Sequence, residues 1–235
     1  RVPLHWKQEV EAQLQRDVNM KIIERVPPNT PAICCHRMVV TTKPCSPKLR
    51  ITVDMSGLKG ASYRLTHPGA PPFLEAQSVP EDTYKTVTDA WKGFHMIPVH
   101  PDSRQYTTFV TEQGMFRYLR MPMGDQTSMD AYNFRFDKVT EKVENLKRCV
   151  DDSLIHAKTL EEAFFKTAEY LSLMGQNGIP QNPDKFQFGT KTVEWAGFLI
   201  GERSVKPLQK HTEAIKTFPT PNNITDLRSF MALLQ

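Results

Sequence analysis

The residues of this chain best suited to chemistry are three aspartates. Asp151 and Asp152 stand side by side in Cys149-Val150-Asp151-Asp152-Ser153-Leu154-Ile155, between two short apolar runs, and Asp89 ends the run Thr86-Val87-Thr88-Asp89. The pattern predicts a hairpin whose turn pushes both acidic side chains out at one sheet edge, where a carboxylate from a neighbouring strand can join them. Three negative charges in so small a space repel unless a cation sits among them, so the cluster implies a divalent metal. Mg²⁺ held by carboxylates and substrate phosphates activates a hydroxyl and stabilises a departing pyrophosphate. An Asp-Asp pair is equally what a solvated turn contains, because aspartate favours turns on its own account. The rest of the chain has to decide between the two.

Helical and extended patterns surround these aspartates. Trp6, Val10, Leu14, Val18 and Ile22 recur every four residues, which predicts an amphipathic helix from Leu4 to Ile23, ended by Pro27 and Pro28. Met38–Thr42 and Leu49–Val53 read as strands joined by a turn-rich tip that carries Lys43 and Lys48, with Arg50 just behind. His67 to Pro80, with Pro68, Gly69, Pro71 and Pro72, reads as an extended crossing segment and a subdomain boundary. Lys85–Asp89 reads as a buried strand, and Thr107–Val110 with Phe116–Leu119 as a hairpin. A helix is predicted over Ser128–Val143, strands on both sides of Asp151–Asp152, and a helix over Glu161–Met174 closed by Gly175 and Gly178. Strand residues Val193–Ile200 and a helix near Lys210–Thr217 complete the series. With no repeated βαβ unit, this order predicts an α+β fold.

Composition sets wide bounds. The 235 residues, 39% hydrophobic and 24% charged, exclude disordered and fibrous classes. The net charge of +4 and pI near 8.8 suit a polyanionic partner without requiring one. The four cysteines include no CxxC pair and no histidine at zinc-ligand spacing, which fits a reducing compartment. No apolar run approaches the roughly 20 residues that cross a bilayer. The chain begins without Met and stops inside the helical run Ile224–Gln235, so it is expected to be a piece of a longer polypeptide.

The wider motifs resemble those of reverse transcriptases from long-terminal-repeat retrotransposons of the Ty3/gypsy type and their retroviral relatives, over nearly the whole chain. Arg50-Ile51-Thr52-Val53-Asp54 through Leu58 resembles the family's finger strand, which implies that Arg50 and Lys43 grip the triphosphate of the incoming nucleotide. The block from Val87 to Gly124 is similar to the family's palm entry, implying Asp89 as the first metal ligand and Phe94 as the aromatic gate against a 2′-hydroxyl. Met121-Pro122-Met123-Gly124 matches the segment beside the nascent base pair, with Gly124 as a binding residue, and Cys149-Val150-Asp151-Asp152 matches the Y/F-x-D-D signature. Asn182-Pro183-Asp184-Lys185 resembles the next palm motif, implying that Lys185 protonates the leaving pyrophosphate. Trp195-Ala196-Gly197 resembles the hairpin that holds the primer terminus.

The resemblance implies a right-hand polymerase fold, an antiparallel palm sheet packed on helices together with fingers. The fingers are expected at 1–80 and 100–125, the palm at 81–99 and 126–203, and the start of a thumb at 204–235. It implies Mg²⁺, with Mn²⁺ as substitute, an RNA or DNA template with primer, dNTPs, and protease, RNase H and integrase domains elsewhere in a Pol polyprotein. It further implies no membrane and a cytoplasmic, virus-like-particle or nuclear location. Three residues depart from the pattern: Cys149 replaces the aromatic before x-D-D, Asp125 follows the palm glycine where an apolar residue is usual, and Lys59 replaces an asparagine. Asp125 adds negative charge where a triphosphate is expected. The rival readings are a decayed or domesticated relative that binds nucleic acid or protein without synthesis, and a metal-dependent nuclease; the turn has no water-activating His or Lys to favour the latter.

Overall fold

The computed structural model describes residues 2–42, 49–60, 62–64, 66–67, 69–125 and 127–233. In chain order its elements are α1 (Lys7–Asn19), β1 (Ile23–Arg25), β2 (His36–Thr42), β3 (Leu49–Asp54), α2 (Pro72–Gln77), β4 (Tyr84–Asp89), β5 (Phe109–Thr111), β6 (Gly114–Tyr118), α3 (Ser128–Thr140), β7 (Leu146–Cys149), β8 (Asp152–Ala157), α4 (Leu160–Gln176), β9 (Gln187–Thr190), β10 (Val193–Trp195), β11 (Phe198–Ile200), β12 (Val205–Pro207), α5 (Gln209–Lys216) and α6 (Ile224–Leu233). The predicted α+β class is the observed one. Two compact units divide the chain: Arg1–Pro68 with Lys92–Thr140, and Gly69–Trp91 with Glu141–Gln235. These bounds differ from the fingers and palm bounds expected above. Residues 92–99 and 126–140 belong to the first unit, and 69–80 to the second.

The first unit is built on a five-stranded sheet in the order β1-β6-β5-β2-β3, antiparallel except for the β2–β5 pair. Val10 and Leu14 of α1 pack with Ile22, Ile23, Val53, Phe109, Phe116 and Tyr118 into its core. The helix expected over Leu4–Ile23 is shorter than its pattern. Residues Leu4–Trp6 form a 3-10 turn, and Lys21 at φ 54° breaks the helical path. Ile22 is then buried beyond the helix, and Ile23 pairs with Tyr118 across β1 and β6. A non-local strand pairing thus overrides the four-residue periodicity.

The second unit centres on the antiparallel sheet β7-β8-β4-β9. β4 and β8 are buried along both faces although their sequences are largely polar, with Lys85, Thr86, Thr88 and Ser153 all inside. Side chains at alternate positions face opposite sides. Val87 and Leu154 pack with Ala76 of α2 and with Val193, Trp195 and Ile200 of the three-stranded sheet β10-β11-β12. On the other side α4 buries Ala163, Thr167, Tyr170 and Met174, a stripe at helical spacing, with Thr159 capping its first turn. The segment expected to be extended between His67 and Pro80 contains α2, begun by Pro72 at the first helical position, where proline loses no hydrogen bond.

Candidate active site

The carboxylates are brought together by register. β7 and β8 form a hairpin in which Cys149 pairs with Asp152, leaving Val150 and Asp151 as a two-residue turn. β4 lies on the other side of β8 and pairs Asp89 with Asp152. Cys149, Asp152 and Asp89 therefore form one row across three strands, with Cβ atoms of neighbours roughly 5 Å apart and side chains on one face. Asp151 sits one residue away in the turn, and its carbonyl accepts from the Ala90 amide at 2.9 Å. Val150 holds φ at 52°, a left-handed conformation that a β-branched residue adopts only under constraint. Of the two turn residues Val150 alone has positive φ, the pattern of a type II′ turn.

The segment after α4 delivers a cation to this row. Trp91 N–H donates to the Pro180 carbonyl and Asn182 N–H to the Asp89 carbonyl, both at 2.8 Å, and the Asn182 side chain caps the short turn Pro183–Lys185. Lys185 Nζ then meets Asp89 Oδ2 at 2.5 Å. Burial alone would lower the Lys185 ammonium, but its hydrogen bond to Asp89 and the charges of Asp89, Asp152 and Asp151 raise it above its ordinary value. Burial, and after it the charge of Asp89, pushes the Asp152 carboxyl up to about 6, with Lys185 opposing. Burial and the Asp152 charge likewise raise the Cys149 thiol, making it a poor nucleophile. Among the described residues no three His, Cys, Asp or Glu side chains converge tightly enough to hold an ion as they stand, and the Lys185 ammonium engages Asp89. The donor set still fits a hard divalent cation: adjacent carboxylates, one pushed towards its neutral form by burial and by its neighbour's charge, are what such an ion relieves.

The nucleotide-side residues expected from the resemblance lie in the first unit. Arg50 is exposed on β3, opposite Thr41 of β2. Lys43 lies outside the described residues. Phe94 is half-buried, its ring centroid 5.3 Å from that of Tyr132 on α3. Gly124 has φ at 92°, and a Cβ there would sit in ordinary contact with the Val53 carbonyl, so the turn demands glycine for its dihedral more than for space. Asp125, next to it, accepts hydrogen bonds from the Thr127 amide and hydroxyl, so its carboxylate is engaged within its own turn.

In the second unit Ala196 and Gly197 both have positive φ, as a type I′ hairpin turn between β10 and β11 requires. Trp195 is only 2% exposed and belongs to the core. What this hairpin presents is therefore the Ala196–Gly197 backbone. The polar partners behind the carboxylates, Tyr170 and Gln181, were not singled out in the sequence. Tyr170 looks there like any member of the buried stripe of α4, and Gln181 like a loop residue.

An all-antiparallel sheet that ends in cross-strand carboxylates defines a class of acid-centred site. Residues 14–200 match the family described as "Reverse transcriptase (RNA-dependent DNA polymerase)", and the chain belongs to that family. It is 26% identical over 237 residues to the "Retrovirus-related Pol polyprotein from transposon 297" of Drosophila melanogaster, covering 96% of this chain and 21% of the relative. The polyprotein from transposon opus of the same fly is 23% identical, with 98% and 23% covered. The chain thus spans about a fifth of the length of these relatives. Its fold is similar to that of a foamy viral protease-reverse transcriptase in complex with double-stranded DNA, with a TM-score of 0.88 at 16% identity, covering 99% of this chain and 40% of that one. The same viral protein in complex with an RNA/DNA hybrid gives 0.85 at 15% identity, with 99% and 31% covered.

Proposed function

We propose that this chain is the fingers-and-palm portion of a Ty3/gypsy-type retrotransposon reverse transcriptase, an RNA-directed DNA polymerase that adds dNTPs to a primer 3′-hydroxyl. The observation that carries this reading is the row in which Asp89 and Asp152 are cross-strand partners beside Asp151 and Lys185. Asp89, Asp151 and Asp152 would hold Mg²⁺, or Mn²⁺ in its place. When bound, the ion supplies charge neutralisation at the phosphates and acidifies the attacking hydroxyl.

The chain's own residues do the rest. Lys185, kept protonated by the surrounding carboxylates, carries a proton at Nζ for the leaving pyrophosphate. Arg50 and Lys43 bind the triphosphate, and Gly124 forms the turn beneath the nascent pair. The Phe94 ring excludes a 2′-hydroxyl by occupying its space. The Ala196–Gly197 turn contacts the primer backbone. Template and primer contacts run mainly to phosphates, so binding is sequence-tolerant and weakens with salt. Protease, RNase H and integrase domains are proposed for the longer polyprotein.

One feature favours the alternative of a decayed nucleic-acid-binding relative, namely the acidic Asp125 beside Gly124, and its engagement with Thr127 weakens that case. Primer extension on RNA and DNA templates tests the proposal, with Asp151→Asn as control for contaminating polymerase. Extension by the wild-type chain that vanishes in the variant supports it. Equal extension by both removes Asp151 from the mechanism.

A further inference from the structure

Behind the Asp89/Asp152 pair, on the opposite face of the sheet, two buried hydroxyls stand one residue away along each strand. Thr88 and Ser153 are cross-strand partners with no exposed surface. Each hydroxyl is held from outside the two strands. Thr88 Oγ1 donates to Gln181 Oε1 at 2.7 Å, and the Tyr170 hydroxyl on α4 donates to Ser153 Oγ at 2.9 Å. Gln181 is fixed in turn, because its Nε2 donates to the Ile179 carbonyl at 3.1 Å and its backbone bridges Ala90. The result is two hydrogen-bonded pairs, Gln181–Thr88 and Ser153–Tyr170, on adjacent strands one residue from the carboxylate row.

These pairs sit where the strands most need restraint. Like charges directly opposite on antiparallel strands push the pair apart, and Asp89 and Asp152 are the last residue of β4 and the first of β8. Breaking a buried hydroxyl bond leaves an unsatisfied polar group, so opening the strand ends at this point carries a penalty that opposes the repulsion. We propose that Tyr170 and Gln181 are positioning residues, which clamp Ser153 and Thr88 from the back face and so hold Asp152 and Asp89 at the separation a shared cation needs. The inference rests on the polymerase reading for its purpose, and on the hydrogen bonds alone for its geometry.

The test compares Tyr170→Phe, Gln181→Ala, the near-isosteric Thr88→Val and the hydroxyl-retaining Thr88→Ser in the 235-residue chain. Mn²⁺ affinity is read by electron paramagnetic resonance without nucleic acid, alongside melting temperature and the kcat and KM for dNTP in primer extension. Tyr170→Phe, Gln181→Ala and Thr88→Val are expected to weaken Mn²⁺ binding roughly tenfold, the lower end of what supporting residues around a metal contribute. They should lower kcat while the KM for dNTP stays within about twofold, and Thr88→Ser should restore wild-type Mn²⁺ affinity. Variants that melt earlier yet bind Mn²⁺ as the wild type does would show a merely structural role and overturn the proposal. If either larger change prevents folding, the Thr88→Val and Thr88→Ser pair decides by the same readout. A wild-type chain that binds Mn²⁺ but extends no primer would refute the polymerase reading alone, since the positioning claim is judged on affinity.

Discussion

Asp152→Asn should separate stability from chemistry in opposite directions. In the metal-free protein Asp152 is pushed from 3.8 to about 6 by burial and by Asp89. That displacement corresponds to about 3 kcal/mol against the ionised form, at roughly 1.4 kcal/mol per pH unit. Because the charge is shared with Asp89 and partly neutralised by Lys185, we expect about 1–2 kcal/mol to appear in folding. The sign follows from a folded-state value above the unfolded one. The stability Asp152 contributes is fully present below about 3.8 and is lost as pH rises through about 6. Asparagine cannot ionise, so in EDTA at pH 8 the variant should melt about 2–8 °C above the wild type, and the gap should close near pH 4. Added Mg²⁺ should raise the melting temperature of the wild type and leave the variant nearly unchanged. Thermal melts at both pH values, with and without Mg²⁺, check this. An asparagine variant less stable than the wild type at pH 8, or a gain independent of pH, would refute the reasoning.

Other consequences follow from single residues. Val150→Gly relieves a left-handed φ worth about 1–2 kcal/mol, offset by about 0.5–1 kcal/mol of chain entropy, so urea unfolding should find it neutral to slightly stabilised. Lys185→Ala should lower kcat roughly a hundredfold with little change in dNTP KM, measured by single-nucleotide incorporation. Phe94→Val should reduce discrimination against ribonucleotides roughly ten- to hundredfold, read as the ratio of kcat/KM for dNTP and rNTP.

Much of this was legible because the informative signals are local. The Asp-Asp hairpin, β2 with β3, β5 with β6, and α4 announce themselves through short apolar runs, turns and helical spacing. The register of β4 on β8 was not legible, since it joins segments about 60 residues apart and no local pattern says which residue opposes Asp152. The same limit explains Ile22 and Ile23, whose spacing continues α1 while Tyr118 draws Ile23 into a strand. α2 was missed although its signal was present, because the prolines that suggested an extended path also start helices. Tyr170 and Gln181 were invisible for a different reason, as a buried hydrogen bond is a property of a pair and each member alone is unremarkable.

Anomalous diffraction from crystals soaked in Mn²⁺ and a dNTP tests the central claim most directly. The account predicts manganese peaks against Asp89, Asp151 and Asp152, with Lys185 released from Asp89 towards the phosphates. Peaks elsewhere, with the ion pair between Lys185 and Asp89 intact, would contradict it.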